Sequence, residues 1–370
     1  MSILQVQHQD LGQGRQLAIL SLNNPKTLNA LSLDMVEELQ QALDRSAADP
    51  AVVAVWLDAT SDKAFCAGGD LQQLYASMQE YGEKPNPYAQ QFFGQEYRLD
   101  YTVHTFPKPL VVWMHGIVMG GGIGLACGGA NRIVTAESML AMPEIGIGLF
   151  PDVGGSWFLG KMPGGIGRYL ALTGARLNAG DAIFAGLADL HIPHEQKDTV
   201  MRGLAGVEWT ADTQQDQILL RRYLHAQSAL APASSLAAHF PALANIASLP
   251  TPLEAKAALE DWADSEPWAA PHAKALSRGA PSSAALGWYL QQRTQRADLA
   301  TVLRTEFAAA LGCCALGDFA EGIRALIIDK DKNPRWQAAG WDQVGQELIE
   351  RWLEPRWEGP HPLADLGRPH

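Results

Sequence analysis

Apolar residues in the first ~190 positions come in two rhythms. "RQLAILSLN" (15–23) and "DPAVVAVWLDAT" (49–60) are short apolar runs of strand length, and the second is continuous enough to predict burial on both faces. Between them "NNPKTLNALS" turns the chain and ends on Ser32, a candidate N-cap. In "LDMVEELQQALDR", Met35, Val36, Leu39, Ala42 and Leu43 recur at helical spacing. "KAFCAGGDLQQLY" predicts a loop with two glycines and then a helix start. "KPNP" (84–87) marks a loop, and "AQQFFGQEYRLDYTVHTF" a helical stretch. "KPLVVWMHGIVMGGGIGLACGGANRIVTAES" reads as strand, glycine turn, helix, strand, and "GGIGRYLALTGARLNAGDAIFAGLADL" as two helices around a turn. Strands alternating with helices predict an α/β domain.

The texture changes near position 195. "ALAPASSLAAHFPALANIASLPTPLEAKAALEDWADSEPW" is rich in alanine and leucine with proline punctuation, which predicts short helices joined by loops. Residues 1–195 are therefore expected to form one core and 196–370 a mostly helical region. Composition adds limits. With 47% hydrophobic and 18% charged residues the 370-residue chain can bury a large core. A net charge of -12 argues against nonspecific nucleic-acid binding, which rests on basic contacts to phosphate. Four cysteines, Cys66, Cys127, Cys313 and Cys314, form neither a disulfide framework nor a zinc pattern. The N-terminal residues lack the basic and apolar regions of a signal peptide, and no run approaches the ~18 apolar residues of a membrane span. A soluble, cytoplasmic protein is expected.

Three stretches carry candidate chemistry. "MGGGIG" (119–124) puts adjacent glycines where a helix begins. Two readings stand: close approach of another element, or a helix N-terminus whose free amides face a ligand. No Gly-Lys-Ser/Thr follows, so it is not a phosphate loop. "CAGGD" (66–70) is a second backbone-exposing turn, read either as an ordinary strand-to-helix loop with Asp70 as cap or as a partner to the first. Two amides on one carbonyl oxygen would stabilise charge that develops in acyl or enolate chemistry. "MPEIGIGLFPDVGG" (142–155) holds two acids, Glu144 and Asp152, in otherwise apolar surroundings. Such carboxylates must be paired, hydrogen-bonded or protonated. No Gly-x-Ser-x-Gly elbow and no metal spacing of histidines is present.

Together, "NPKTLNALS", "AFCAGGDL", "HGIVMGGGIGLACGGANRIVTAES" and "MPEIGIGLFPDVGG" resemble the crotonase (enoyl-CoA hydratase/isomerase) superfamily over roughly residues 3–195. Within it, "AMPEIGIGLFPDVGGSWFL" and "FAEGIRALIIDKDKNPRW" (319–336) are most similar to the 3-hydroxyisobutyryl-CoA hydrolase subfamily. The resemblance implies a spiral of ββα units with a C-terminal helical region and an acyl-CoA substrate. No cofactor beyond the substrate's own CoA, no metal, no nucleic-acid partner and no membrane partner are expected. It also allows a homo-oligomer, trimer or hexamer. By position it assigns the oxyanion hole to the amides of Gly69 and Gly121, catalysis to Glu144 and Asp152, and a substrate contact to Glu96. CoA binding falls to the loop around Lys26 and Leu28 and to the backbone of Ala64, Ala67, Gly68 and Gly69, with Lys63 a further candidate for phosphate.

One departure is informative. Hydratases of the family place a first glutamate two positions after the glycine triplet, where this chain has Gly124. Glycine exchanges no proton, so hydration by two glutamates is disfavoured. The implied reaction is hydrolysis of a short 3-hydroxyacyl thioester. Glu144 would activate water or attack directly, and Asp152 would hold the 3-hydroxyl and assist proton transfer to the leaving group. An enoyl-CoA hydratase or isomerase, or a noncatalytic acyl-CoA-binding protein, are the alternatives. Structural alternatives also stand: Asp152 as an N-cap for "VGGSWFL", Glu144 paired with Arg132 or Arg168, Glu96 as a surface residue, and Cys66 and His115 as packing residues.

Overall fold

The computed structural model describes residues 2–338 and 340–368. Clustering in space divides the chain into two discontinuous units. The first comprises Met1–Gly69, Leu99–Leu140 and Leu177–Ala238, and the second Asp70–Arg98, Ala141–Arg176 and His239–His370.

Among the described residues, the first unit carries nine strands in two sheets. Strands β1 (Leu4–Gly12), β2 (Arg15–Leu22), β3 (Val52–Ala59), β5 (Leu110–Met114), β7 (Asn131–Val134) and β9 (Leu190–His191) form the larger, in that spatial order. Strands β4 (Ala64–Cys66), β6 (Ile117–Met119) and β8 (Met139–Ala141) form the smaller. Successive strands from β3 to β8 thus alternate between the sheets. β1 and β2 pair antiparallel, and β2 with β3, β3 with β5, β5 with β7, and β7 with β9 pair parallel.

The apolar pattern places these elements correctly where burial drives them. All eight residues of β3 are buried, as its unbroken apolar run predicts. The helix Leu33–Ala48 starts at Ser32, whose side chain accepts from the Met35 amide, and it buries Met35, Val36, Leu39, Ala42 and Leu43. Trp56 and Trp113 stack at 5.5 Å in the core beneath the larger sheet. β1 is not expected from the pattern, because its sequence is largely polar; it is an outer, exposed strand held by its hairpin to β2.

The second unit is helical. It holds Leu71–Tyr81, the first part of Pro87–His104, Gly155–Leu159, Gly167–Thr173 and the helices from Phe240 onward. Asp70 caps the first of these by accepting the Gln72 amide. The expectation that no stretch approaches membrane-span length needs correcting. Leu299–Leu316 has 18 residues and a mean hydropathy of 1.5, but 72% of it is buried in the fold. Leu303, Phe307 and Leu311 pack inward and it carries the buried Glu306, so it is the unit's core helix.

Candidate active site

In the first unit the segments expected to bind CoA come together. The Leu28 carbonyl accepts the Ala67 amide at 3.1 Å, and the Leu31 amide donates to the Gly68 carbonyl at 2.8 Å. The Asn29 side chain donates to the Ala64 carbonyl at 2.9 Å. These bonds tie the 24–31 loop along the 64–69 segment. Lys26 and Lys63 are exposed beside them. Cys66 is buried, with its sulfur 3.9 Å from the Gly68 carbonyl oxygen, and His115 is buried with Nε2 2.6 Å from the Ser61 carbonyl oxygen.

The close-approach reading of the glycine triplet holds at Gly122, and Gly121 stands at a helix start. A Cβ on Gly122 would lie 2.4 Å from the Cys66 carbonyl oxygen, so this glycine permits close packing. Gly121 opens the helix Gly121–Cys127, where its amide has no acceptor within the helix. A Cβ on Gly68 would lie 3.8 Å from the Gly121 nitrogen, so the two glycine loops meet. Gly124 lies buried in the same helix and offers no proton-exchanging group.

In the second unit the acids expected from sequence come together with two residues that were not. Glu96 is 3% exposed, Glu144 4%, Asp152 5%, and Tyr97 and Glu306 0%. The Tyr97 hydroxyl donates to Asp152 Oδ2 at 2.7 Å. Glu306 accepts the Gly154 amide on Oε2 at 2.7 Å and the Ser156 amide on Oε1 at 2.8 Å. Among the described residues, no Lys, Arg or His forms an ion pair with Glu96, Glu144, Asp152 or Glu306.

This geometry disposes of the structural alternatives for Asp152, Glu144 and Glu96, while the burial of Cys66 and His115 agrees with their reading as packing residues. Gly155–Leu159 begins after Gly154, with no side-chain cap of its own; Glu306 receives the amides that Asp152 would have capped. Arg132 is engaged with Asp189, and Arg168 donates to the Ala247 carbonyl, while Glu144 Oε2 has no hydrogen-bond partner. Glu96 is not a surface residue.

Burial without a cation raises every carboxyl in the cluster. Asp152 rises only to about 6, because the Tyr97 hydroxyl and its own backbone amide stabilise the anion against desolvation. Glu306 rises to about 8 through desolvation, moderated by its two amide bonds. Glu144 and Glu96 lie well above the ordinary value, first through desolvation and then through the Asp152 charge. Of the two, Asp152 is therefore the acid whose charge the surroundings oppose less.

The backbone beneath Asp152 is strained. Val153, a β-branched residue, has φ +53°, a left-handed conformation that costs about 1–3 kcal/mol and persists only where neighbours enforce it. Glu306 supplies that enforcement from the core helix. The turn Glu144–Ile147 is held by the C-terminal motif. A Cβ on Gly322 would fall 2.2 Å from the Ile147 carbonyl carbon, and one on Gly148 2.4 Å from Asp318, so Phe319–Ile323 packs backbone to backbone against the turn. Arg324 bonds Glu321, Asp329 and Asp331 and closes the polar turn that follows. The string "FAEGIRALIIDKDKNPRW" thus acts as a brace for the turn that carries Glu144.

The signal for Glu306 was a single acid in a long apolar helix. Tyr97 had no distinguishing signal in sequence.

A model of the enoyl-CoA hydratase/isomerase family matches residues 17–353. The mitochondrial 3-hydroxyisobutyryl-CoA hydrolase of Gallus gallus is 34% identical over 344 residues, covering 91% of this chain and 86% of that one. Its Homo sapiens counterpart is 33% identical over 331 residues, covering 89% and 84%. Among solved structures, an enoyl-CoA hydratase from Rhodobacter sphaeroides is 36% identical with a TM-score of 0.84, covering 96% of this chain and 98% of that one. A carnitinyl-CoA dehydratase from Mycobacterium thermoresistibile is 32% identical with a TM-score of 0.87, and both chains are covered fully, at 100%. Strands alternating between two sheets, followed by a helical C-terminal region, agree with this likeness: the chain belongs to the enoyl-CoA hydratase/isomerase (crotonase) family.

Proposed function

We propose that this chain hydrolyses a short 3-hydroxyacyl-CoA thioester, 3-hydroxyisobutyryl-CoA, to 3-hydroxyisobutyrate and coenzyme A. The observation that carries the reading is the buried acid pair, Glu144 and Asp152: burial and then the Asp152 charge hold Glu144 above the ordinary carboxyl range, and among the described residues neither acid forms an ion pair with a base. Relatives bearing the hydrolase name match nine-tenths of the chain and support the same choice.

Each unit has its own task in this reading. The amides of Gly69 and Gly121 stabilise the thioester oxygen as it gains charge, an effect typically worth about 3 kcal/mol per donor. Glu144 and Asp152 handle the proton. At rest the proton sits on Glu144 and the charge on Asp152. Its transfer to Asp152 frees Glu144 to activate water or attack the carbonyl carbon, and Asp152 then protonates the departing thiolate. Water is consumed, the C–S bond breaks and a free thiol is released. Glu96 shapes the polar end of the acyl pocket, and the segments around Leu28 and 64–69 hold CoA largely through main-chain atoms. Trimer or hexamer formation is part of the same reading.

A second reading, hydration of an enoyl-CoA, draws on the likeness to the enoyl-CoA hydratase from Rhodobacter sphaeroides. Gly124 weighs against it, since the helix offers no second carboxylate at that place. A panel of acyl-CoA esters, followed by free-thiol release and separately by enoyl absorbance, decides. Thiol release from 3-hydroxyisobutyryl-CoA is expected. Absorbance change without thiol release would overturn the proposal.

A further inference from the structure

The helix Pro87–His104 delivers two adjacent residues to the acid cluster, Glu96 and Tyr97. A fully buried phenol is costly unless its proton is donated, and Tyr97 gives it to Asp152 Oδ2 at 2.7 Å. We propose that Tyr97 is a positioning residue of the reaction: its single hydrogen bond makes Asp152, and not Glu144, the member of the pair that carries the negative charge. The inference rests on the reading of Glu144 and Asp152 as the reacting acids.

The geometry supports it in three ways. First, a bond from a neutral donor to an ionised carboxylate is stronger than one to a neutral acid, so the phenol favours charge at its own partner. Each acid is also lowered by its own backbone amide, but Glu144 has no donor at Oε2. Second, the Asp152 side chain is fixed at both ends. Tyr97 holds the carboxylate, while Glu306 holds the backbone two and four residues on, across the strained Val153. Third, apart from its own backbone amide, the groups facing Asp152 offer no other means of placing the charge. They are Glu96 beside Tyr97 on its helix, Glu144 on its turn, and Glu306, Cys313 and Cys314 on the core helix. All are acids or thiols, and burial raises each of them.

Losing one proton from the pair is the step that creates a base beside an acid. A donor that stabilises the resulting anion lets this happen at lower pH. Removing the donor raises the pH at which the pair becomes active, whichever member then reacts.

Tyr97→Phe keeps the ring and removes only the hydroxyl. Two readouts are needed on the full chain. The first is a ¹³C carboxyl titration of protein labelled at Asp and Glu side chains, without substrate, using Asp152→Asn and Glu144→Gln to assign signals. The second is kcat/KM for thiol release from 3-hydroxyisobutyryl-CoA against pH. In Tyr97→Phe the Asp152 midpoint should rise by about one to two pH units, and the acid limb of kcat/KM should rise with it. KM on the plateau should stay at the wild-type value. An unchanged Asp152 midpoint, or an equal loss of rate at every pH, overturns the proposal. Should the variant fail to fold, the wild-type titration decides: an Asp152 midpoint above that of Glu144 overturns it, and one below supports it. If the wild type releases no thiol, the hydrolase reading fails, while the substrate-free titration still decides the role of the phenol.

Discussion

The glycine loops of the first unit and the acid cluster of the second offer chemistry by opposite means. The loops present backbone amides and depend on the absence of side chains; Gly122 lies where any Cβ would strike the Cys66 carbonyl. The cluster presents side chains and depends on the absence of water and cations, with Glu96, Glu144, Asp152 and Glu306 all buried. Amides do not titrate, so the loops should behave alike at every pH. Carboxyls in a dry cluster must share few charges, so the second unit should be where pH acts.

The largest effect expected from breaking this division is at Glu144. Glu144→Gln keeps the shape but cannot act as base or nucleophile, and thiol release should fall by about a thousandfold or more. CoA binding, measured by calorimetry, should survive, because the loops are untouched. Near-normal turnover would remove Glu144 from the mechanism.

Gly122→Ala should act on the other side of the comparison. Its Cβ would sit 2.4 Å from backbone that cannot yield cheaply, and overpacking of this kind costs about 1–3 kcal/mol. Thermal stability and CoA affinity should both drop. Gly146→Ala, whose Cβ would meet nothing within 4 Å, serves as the control. Equal behaviour of the two would mean that the triplet is not there for close packing.

A smaller, global effect follows from the raised carboxyls. A group whose folded-state pKa lies above its unfolded value stabilises the fold fully below the unfolded value and loses that contribution as pH rises through the folded one. For Glu306 the window runs from 4.5 to about 8. Stability, read as the urea midpoint, should decline across that window, and Glu306→Gln should make the decline shallower. A profile that rises with pH between these limits would contradict the burial of uncompensated acids.

The comparison also explains what the sequence disclosed. Glycine loops announce themselves, because adjacent glycines after an apolar run weaken regular structure and need a reason. Glu144 and Asp152 were legible for the converse reason, as charges in an apolar string. Ser32 and Asp70 were legible as caps because capping is local. Tyr97 and Glu306 were not. Tyr97 meets a partner 55 residues away, and Glu306 reaches amides 150 and 152 residues away, distances over which no periodicity carries information. β1 escaped notice because an exposed outer strand need not be apolar. The two spatial units, each built from three separate segments, leave no boundary in composition.

The central claim is that a buried acid pair sharing one proton cleaves a 3-hydroxyacyl thioester. The most direct test is wild-type thiol release from 3-hydroxyisobutyryl-CoA as a function of pH. The account predicts turnover whose acid limb lies near 6, where Asp152 ionises. No thiol release, or an acid limb at the value of an ordinary exposed carboxylate, would contradict it.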